Sequence, residues 1–375
     1  MTVTHVLPDD EALRHERRGR VLAEMEADGV DILVIGREAN ARYVSGAPRL
    51  WIAGSRPFGP GCVLVRATGD IHLVSTWDEG IPAEIPHEHL YGITFNSMNV
   101  LKMLQNVEGA ATARTVATDG LTPGSAQLLP KAFPSAGIVD GEVLLRRARR
   151  IKSADEVDAI RASVRVAERA LAATEAALVP GVTARQLTGV FMEAMASAGI
   201  TTPATQDVAW ITSRDRMWDR AGRDVAVADG DLVAIDASVV RDGYLGELGR
   251  TITVGDGPSA LLARCGELGD QLLAACRPGA PVSDLLDAYE HAGVPAPPTP
   301  IARGLGLGFD LPIAASALPR TAAEQHFEPG MVFALTAYVW EEGVGALYVQ
   351  EPVAITDTGP ELLSTNPFRN ARSTP

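Results

Sequence analysis

Residues 230–254, GDLVAIDASVVRDGYLGELGRTITV, contain the features that decide the fold of the second half of the chain. An apolar run contains Asp236, and a second run follows Asp242-Gly243, a pair that is typical of a tight turn between antiparallel strands. An aspartate inside a buried strand needs a partner, because an unpaired buried charge is costly. Glu247 follows eleven residues later across the predicted hairpin. Two carboxylates brought together in this way usually serve a metal, a cationic substrate or acid–base chemistry.

The sequence around this hairpin indicates paired helices and further strands. Capping-box patterns predict helix starts at Ser153 and Thr183. A Pro-Gly pair that leads into a helix ending in Ala-Gly occurs twice, at residues 180–181 and 278–279, and suggests a duplicated half-domain. Further strand-like segments are 331–335, 347–350 and 353–355. These signals predict an α+β domain in which helix pairs cover an antiparallel sheet.

The first half of the chain has the helix and strand order of an α/β layer domain. A helical pattern at residues 10–29 precedes strand-like runs at 31–36, 61–66 and 70–75. A basic run at residues 146–150 follows, and we expect it to form a solvated linker helix. The predicted domains are therefore residues 1–149 and 150–375.

Composition excludes several classes of partner and site. Lys and Arg number 33 against 47 Asp and Glu, and the net charge of −14 argues against nucleic acid and against an anionic membrane surface. The three cysteines form no CxxC pair, so neither a disulfide framework nor a cysteine zinc site is expected. Since no apolar run is long enough to span a bilayer and no signal core precedes the first helix, we expect a cytoplasmic protein.

Several motifs, in order along nearly the whole chain, resemble the creatinase/aminopeptidase P/methionine aminopeptidase (M24) superfamily. The resemblance implies a pita-bread catalytic domain of α+β class behind an N-terminal α/β creatinase-like domain, and the internal repeat agrees with the pseudo-twofold symmetry of that fold. Besides the hairpin, the motif segments are 40–46, 150–156, 304–310, 328–333 and 353–356.

The metallopeptidases of this superfamily hold two metal ions with two Asp, one His and two Glu. Only part of that ligand set is present in this sequence. Asp236 matches the first Asp, and Glu247 stands in place of the second. Arg303 occupies the position of the His, and an arginine has no lone pair to give to a metal. The two Glu positions hold Thr336 and Gln350. We therefore expect no metal and no other cofactor, with Arg303 pairing with Asp236 or Glu247 in place of part of the metals' charge.

The resemblance to creatinase, a metal-free member, suggests further site residues. The position of its acid–base His falls on Trp218. Tyr338, two residues after Thr336, could contribute to the site wall, and Glu351 would face the site instead of Gln350 if the strand register slipped by one. In creatinase-like homodimers the first domain of one subunit reaches the active site of the other. Arg49 or Arg56 could bind an anionic substrate group in this way.

The leading interpretation is a metal-independent, creatinase-like homodimeric enzyme for a small polar substrate of amino acid or guanidino type. It would hydrolyse or eliminate at a C–N bond, with Asp236, Glu247 and Arg303 as catalytic residues. Three alternatives remain open: a metallopeptidase of Xaa-Pro dipeptidase or aminopeptidase P type, a metal-free lyase, isomerase or tailoring enzyme, and a non-catalytic binding module that retains the fold.

Overall fold

The computed structural model describes residues 11–47, 59–75, 78–92, 96–200, 202–205, 207–307, 310–317 and 325–365. The chain divides into two compact units, Met1–Arg149 and Arg150–Pro375. Each unit combines helices with its own sheet, and the predicted fold class, an α/β unit followed by an α+β unit, is confirmed.

The first unit is built on a six-stranded sheet. Its strands are β1 (Ile32–Ile35), β2 (Cys62–Val65), β3 (Ile71–Val74), β4 (Leu90–Tyr91), β5 (Thr115–Thr118) and β6 (Gly137–Asp140), in the sheet order β4-β3-β2-β1-β5-β6. Its helices are α1 (Glu11–Ala27), α2 (Glu38–Ser45), α3 (Ser97–Gln105), α4 (Pro123–Ala126), α5 (Leu129–Ala132) and α6 (Glu142–Arg150). Central β1 is buried at every position, which explains why it is apolar throughout instead of alternating.

The basic run forms α6, but the prediction of a solvated linker helix is wrong. Arg147 donates hydrogen bonds to Glu24 at 2.6 Å and to Asp28 at 2.5 Å, both within the same unit. Arg146 pairs with Glu142 at 3.0 Å, and Arg149 is buried. Arg147 and Arg149 therefore contribute to the packing of the first unit, and the acidic partners of Arg147 are distant in sequence.

The second unit is built on an eight-stranded sheet. Its strands are β7 (Ala209–Ile211), β8 (Leu232–Arg241), β9 (Tyr244–Thr253), β10 (Ala302–Gly304), β11 (Asp310–Ala314), β12 (Val332–Glu341), β13 (Gly345–Thr356) and β14 (Gly359–Leu362). The order is β11-β10-β12-β13-β9-β8-β7, with β14 paired to β13. Its helices are α7 (Ala154–Ala176), α8 (Ala184–Ser197), α9 (Ser259–Ala275) and α10 (Asp284–His291).

The predicted hairpin is present and longer than the sequence pattern indicated. Strands β8 and β9 pair in register from Leu232 opposite Thr253 to Arg241 opposite Tyr244. Asp242 and Gly243 connect them with φ angles of 50° and 87°, the left-handed backbone that an Asp-Gly turn requires. Both predicted capping boxes also form, at the starts of α7 and α8.

One face of the large sheet is covered by helices. Helix α7 packs against β8 and β9, and α9 packs against β12. At Gly246 the approach is so close that a Cβ would lie 2.4 Å from the backbone carbon of Ser163. Because side chains alternate along a strand, Glu247 points to the other face of the sheet, away from α7.

A buried ion pair connects the start of the second unit to β11. Lys152 Nζ lies 3.3 Å from Asp310 Oδ2, and each side chain is only 1% exposed. Two glycines of the 304–310 motif make room here: a Cβ on Gly306 would lie 2.7 Å from Asp310 Oδ2, and one on Gly304 would lie 2.4 Å from the Asp310 carbonyl oxygen. These glycines therefore allow close packing of β10, β11 and the pair.

Among the helices in the described part of the chain, none combines the length and the apolar character that a membrane crossing demands.

Replacing Lys152 should destabilise the protein strongly. Lys152→Met leaves the buried Asp310 carboxylate without the lysine's charge, which typically costs about 3–5 kcal/mol. The matched control is Arg264→Met, which breaks the solvent-exposed pair with Glu341 and should cost less than about 1 kcal/mol. Denaturant unfolding measures both variants, and equal losses would contradict a special role for the buried pair.

Candidate functional site

Cross-strand register gathers the predicted residues on the sheet face away from α7. Asp236 on β8 lies opposite Gly249 on β9, which lies opposite Gln350 on β13. Gln350 in turn lies opposite Thr336 on β12. Directly opposed residues point to the same face of a sheet, so these four positions form one row across four strands. Three of the residues that the sequence predicted thus converge around a glycine.

A second row runs beside the first, two residues further along each strand. It contains Ser238 opposite Glu247, and Arg303 opposite Ala334. Arg303 donates from Nη2 to Glu247 Oε1 in an ion pair. Of the two partners predicted for Arg303, the structure therefore selects Glu247.

The two carboxylates have different surroundings. Asp236 accepts a hydrogen bond from Ser238 Oγ at 2.5 Å. Burial, reinforced by the negative charge of Glu247, raises the pKa of Asp236 to about 7. Burial raises the pKa of Glu247 as well, while the guanidinium of Arg303 opposes that rise. Direct contact with Arg303 favours the ionised form of Glu247. Asp236, on which the negative charge of Glu247 acts, is the carboxylate that can exchange a proton near neutral pH.

Two buried acceptor atoms in these rows have no hydrogen-bond partner among the described residues. They are Glu247 Oε2 and Gln350 Oε1. The amide nitrogen of Gln350 donates to Thr336 Oγ1 at 3.1 Å, which fixes the side chain between the strands. Since buried polar atoms are normally paired, both oxygens are suited to accept hydrogen bonds from N–H groups of a ligand.

An aromatic row flanks the polar ones on the same face. Trp210 on β7 and Tyr348 on β13 lie with ring centroids 5.6 Å apart, and Tyr348 is opposite Tyr338 on β12. The ring of Trp218, the position at which the resemblance places the creatinase His, packs on Tyr338 at 4.2 Å. Trp218 is 41% exposed and has a φ of 67°, a conformation that a non-glycine residue rarely adopts.

One residue that the sequence predicted for the site does not lie there. Glu351 lies on the helix-covered face, fully buried, with its carboxylate 2.7 Å from Arg250 Nη2 and 2.6 Å from Ser364 Oγ. The reason is the period-two alternation of β13: because Gln350 faces the site, its neighbour must face away. Arg49 and Arg56 lie outside the described residues.

Sequence reasoning missed three residues on the site face, namely Ser238, Tyr348 and Trp210. Ser238 and Tyr348 lie two positions from Asp236 and Gln350 on the same strands, so strict use of the strand period would have found both. Trp210 lies opposite Ala234 on a different strand. No local pattern predicts that pairing.

The donor set does not fit the two-metal centre that the resemblance implies. Asp236 and Glu247 are its only carboxylates, and Arg303, Thr336 and Gln350 stand at the other three positions. Within the described residues, no three His, Cys, Asp or Glu side chains are grouped closely enough to hold a metal ion. A guanidinium bound to Glu247 also places positive charge beside that carboxylate, where it would repel a cation.

Comparisons with known proteins agree with this architecture. The sequence model of the creatinase/prolidase N-terminal domain matches residues 17–151, and that of metallopeptidase family M24 matches residues 158–357, more than half of the chain. An uncharacterised hydrolase/peptidase of Sinorhizobium fredii is 25% identical, with 96% of each chain covered. A Xaa-Pro dipeptidase of Pyrococcus furiosus is 21% identical, over 93% of this chain and 97% of the relative.

A solved structure, the prolidase of Pyrococcus horikoshii, has the same fold. It superposes with a TM-score of 0.77 at 18% identity, covering 96% of this chain and 99% of the prolidase. The match covers residues of both units. The chain therefore belongs to metallopeptidase family M24, with an N-terminal domain of the creatinase/prolidase type.

Proposed function

We propose that the protein is a hydrolase that cleaves a C–N bond in a small polar, amino acid-like or guanidino-type substrate without a bound metal ion. The observation that supports this most directly is the arrangement of Asp236, with a pKa of about 7, beside the Glu247–Arg303 ion pair on the sheet face away from α7. Arg303 is 27% exposed and Asp236 is only partly buried, so both can meet a ligand. The related hydrolases support the reaction class.

The chemistry follows from the difference between the two carboxylates. Ionised Asp236 accepts a proton from water, and the water oxygen forms a bond to the carbon of the substrate C–N group. The electron pair of the substrate's C=O or C=N double bond moves onto the heteroatom, where the positive charge of Arg303 stabilises it. When the C–N bond breaks, the electron pair on the heteroatom re-forms the double bond, and protonated Asp236 gives its proton to the leaving nitrogen. Glu247 Oε2 and Gln350 Oε1 accept hydrogen bonds from substrate N–H groups.

A second candidate is a metal-dependent Xaa-Pro dipeptidase. It is favoured by the similarity to the Pyrococcus furiosus enzyme of that name over almost the whole chain. The residues at the five metal-ligand positions argue against it, because only two of the five are carboxylates. Whether the protein acts as a homodimer, and whether it is cytoplasmic, stay predictions.

The proposed reaction can be tested with a substrate panel. Xaa-Pro dipeptides, other dipeptides, N-acyl amino acids and guanidino acids are incubated in ¹⁸O-labelled water, and products are analysed by mass spectrometry. We expect one labelled oxygen per cleaved bond, and a loss of about 10²–10⁴-fold in kcat/KM for Asp236→Asn. The control Asp158→Asn alters an exposed aspartate on α7 and should retain full activity. Cleavage without label would indicate elimination, and full activity of Asp236→Asn would refute its role.

The pH dependence should depend on Arg303. Asp236 must be ionised to accept a proton, so kcat/KM should fall as the pH drops below about 7. The positive charge of Arg303 lowers the pKa of Asp236, and Arg303→Gln should therefore move this limb to higher pH. Arg303→Lys retains the charge and should stay closer to the wild-type profile. A limb that stays in place, or moves to lower pH, in Arg303→Gln would show that the two groups do not interact.

Metal content separates the two candidates. Protein purified without chelator should contain less than one equivalent of Mn, Zn, Co or Fe by elemental analysis, and chelator treatment should leave its activity unchanged. Stoichiometric metal, together with activity towards Xaa-Pro dipeptides that a chelator abolishes and Mn²⁺ restores, would establish the metallopeptidase instead.

A further inference from the structure

The ring of Tyr348 occupies a space that exists only because residue 249 is a glycine. A Cβ on Gly249 would lie 2.3 Å from Cε1 and 2.8 Å from Cζ of Tyr348. Both distances are far below van der Waals contact, so no larger residue fits beneath the ring. Cζ is the carbon that bears the phenol hydroxyl. The hydroxyl end of the side chain therefore lies over the backbone of β9.

Gly249 is also the residue that lies opposite both Asp236 and Gln350. Adjacent strands are about 4.8 Å apart, so the phenol is placed between the proton-exchanging carboxylate and the amide that has an unpaired acceptor. The charges of Asp236, Glu247 and Arg303 all act on it. Tyr348 thus belongs to the polar centre of the site and not only to its aromatic wall.

The hydrogen bonding of the Tyr348 hydroxyl differs from that of the nearby tyrosines. Among the described residues, no hydrogen-bond partner of the Tyr348 phenol oxygen is found, and the side chain is partly exposed. Nearby tyrosines differ in this respect. The hydroxyl of Tyr289 donates to the carbonyl of Thr336 at 3.1 Å and accepts from the amide of Tyr338 at 2.9 Å. The hydroxyl oxygen of Tyr338 accepts a hydrogen bond from the backbone of Trp218.

The phenol is suited to donate a hydrogen bond and not to act as a base. Burial, together with the negative charges of Asp236 and Glu247, raises the pKa of Tyr348 well above its usual value. The hydroxyl therefore keeps its proton throughout the pH range in which Asp236 titrates. An uncharged donor at this position can strengthen its interaction with a substrate atom as negative charge develops there.

We propose that Tyr348 is a further catalytic residue, whose hydroxyl donates a hydrogen bond to the substrate heteroatom that becomes negative when water adds. The inference rests on the proposed hydrolysis. The phenol transfers no proton. The water proton goes to Asp236 and the displaced electron pair to the heteroatom; when the C–N bond breaks, that pair re-forms the double bond to carbon and Asp236 gives its proton to the leaving nitrogen. Arg303 supplies charge from the second row, while Tyr348 supplies a directed donor in the first.

The test is Tyr348→Phe, which keeps the ring over Gly249 and removes only the oxygen. We expect kcat to fall by about 10²–10³-fold, as when one oxyanion donor is removed, with KM changed far less. The thermal unfolding midpoint and the acid limb of the pH profile should stay as in the wild type. The control Tyr91→Phe removes a phenol hydroxyl from the first unit and should retain kcat.

A double-mutant cycle gives an independent measurement. Gly249→Ala forces the ring aside and should lower kcat similarly, and adding Tyr348→Phe should cause little further loss because both changes remove the same hydrogen bond. Wild-type kcat in Tyr348→Phe, alongside inactive Asp236→Asn, would overturn the role of Tyr348 alone. If the wild-type protein hydrolyses no C–N bond, the proposed function and this inference fail together.

Discussion

The in-register pairing of β8, β9, β13 and β12 is the constraint on which the candidate site depends. These strands bring Asp236, Gln350 and Thr336 into one row, with Gly249 at its centre. A shift of one residue in any of them would turn its polar side chains into the helix-covered face and expose apolar ones. The tight turn at Asp242-Gly243 fixes the register of the β8–β9 hairpin, and α7 stabilises the hairpin by packing on the face opposite the site.

The ion pair between Arg303 and Glu247 gives this arrangement its chemical character. A guanidinium placed among carboxylates favours their ionised forms, and it does so most for the partner that it contacts directly. Burial raises the pKa of both carboxylates, and the negative charge of Glu247 raises the pKa of Asp236 further. Two acidic residues on neighbouring strands therefore acquire different protonation behaviour from their surroundings, which is the usual way in which one site separates a charged role from a proton-exchanging one.

Much of the fold could be predicted because its signals are local. The Asp-Gly turn, the capping boxes at Ser153 and Thr183 and the apolar strand runs act over a few residues, and each is present in the structure. The role of Arg147 in α6 could not be predicted, because its partners Glu24 and Asp28 lie more than a hundred residues away. Solvated and paired arginine runs look alike in sequence, and only the tertiary contacts of Arg147 with Glu24 and Asp28 distinguish them.

For the site, the sequence determined which residue types stand at the key positions: Asp236 and Glu247 as the acids, Arg303 where a metal ligand would be expected. Tertiary structure decided that Arg303 pairs with Glu247 and that Gln350, not Glu351, faces the site. It also placed the Tyr348 ring over Gly249. The sequence specifies residue identity directly. The pairing of strands and their register depend instead on contacts between segments that are distant in sequence.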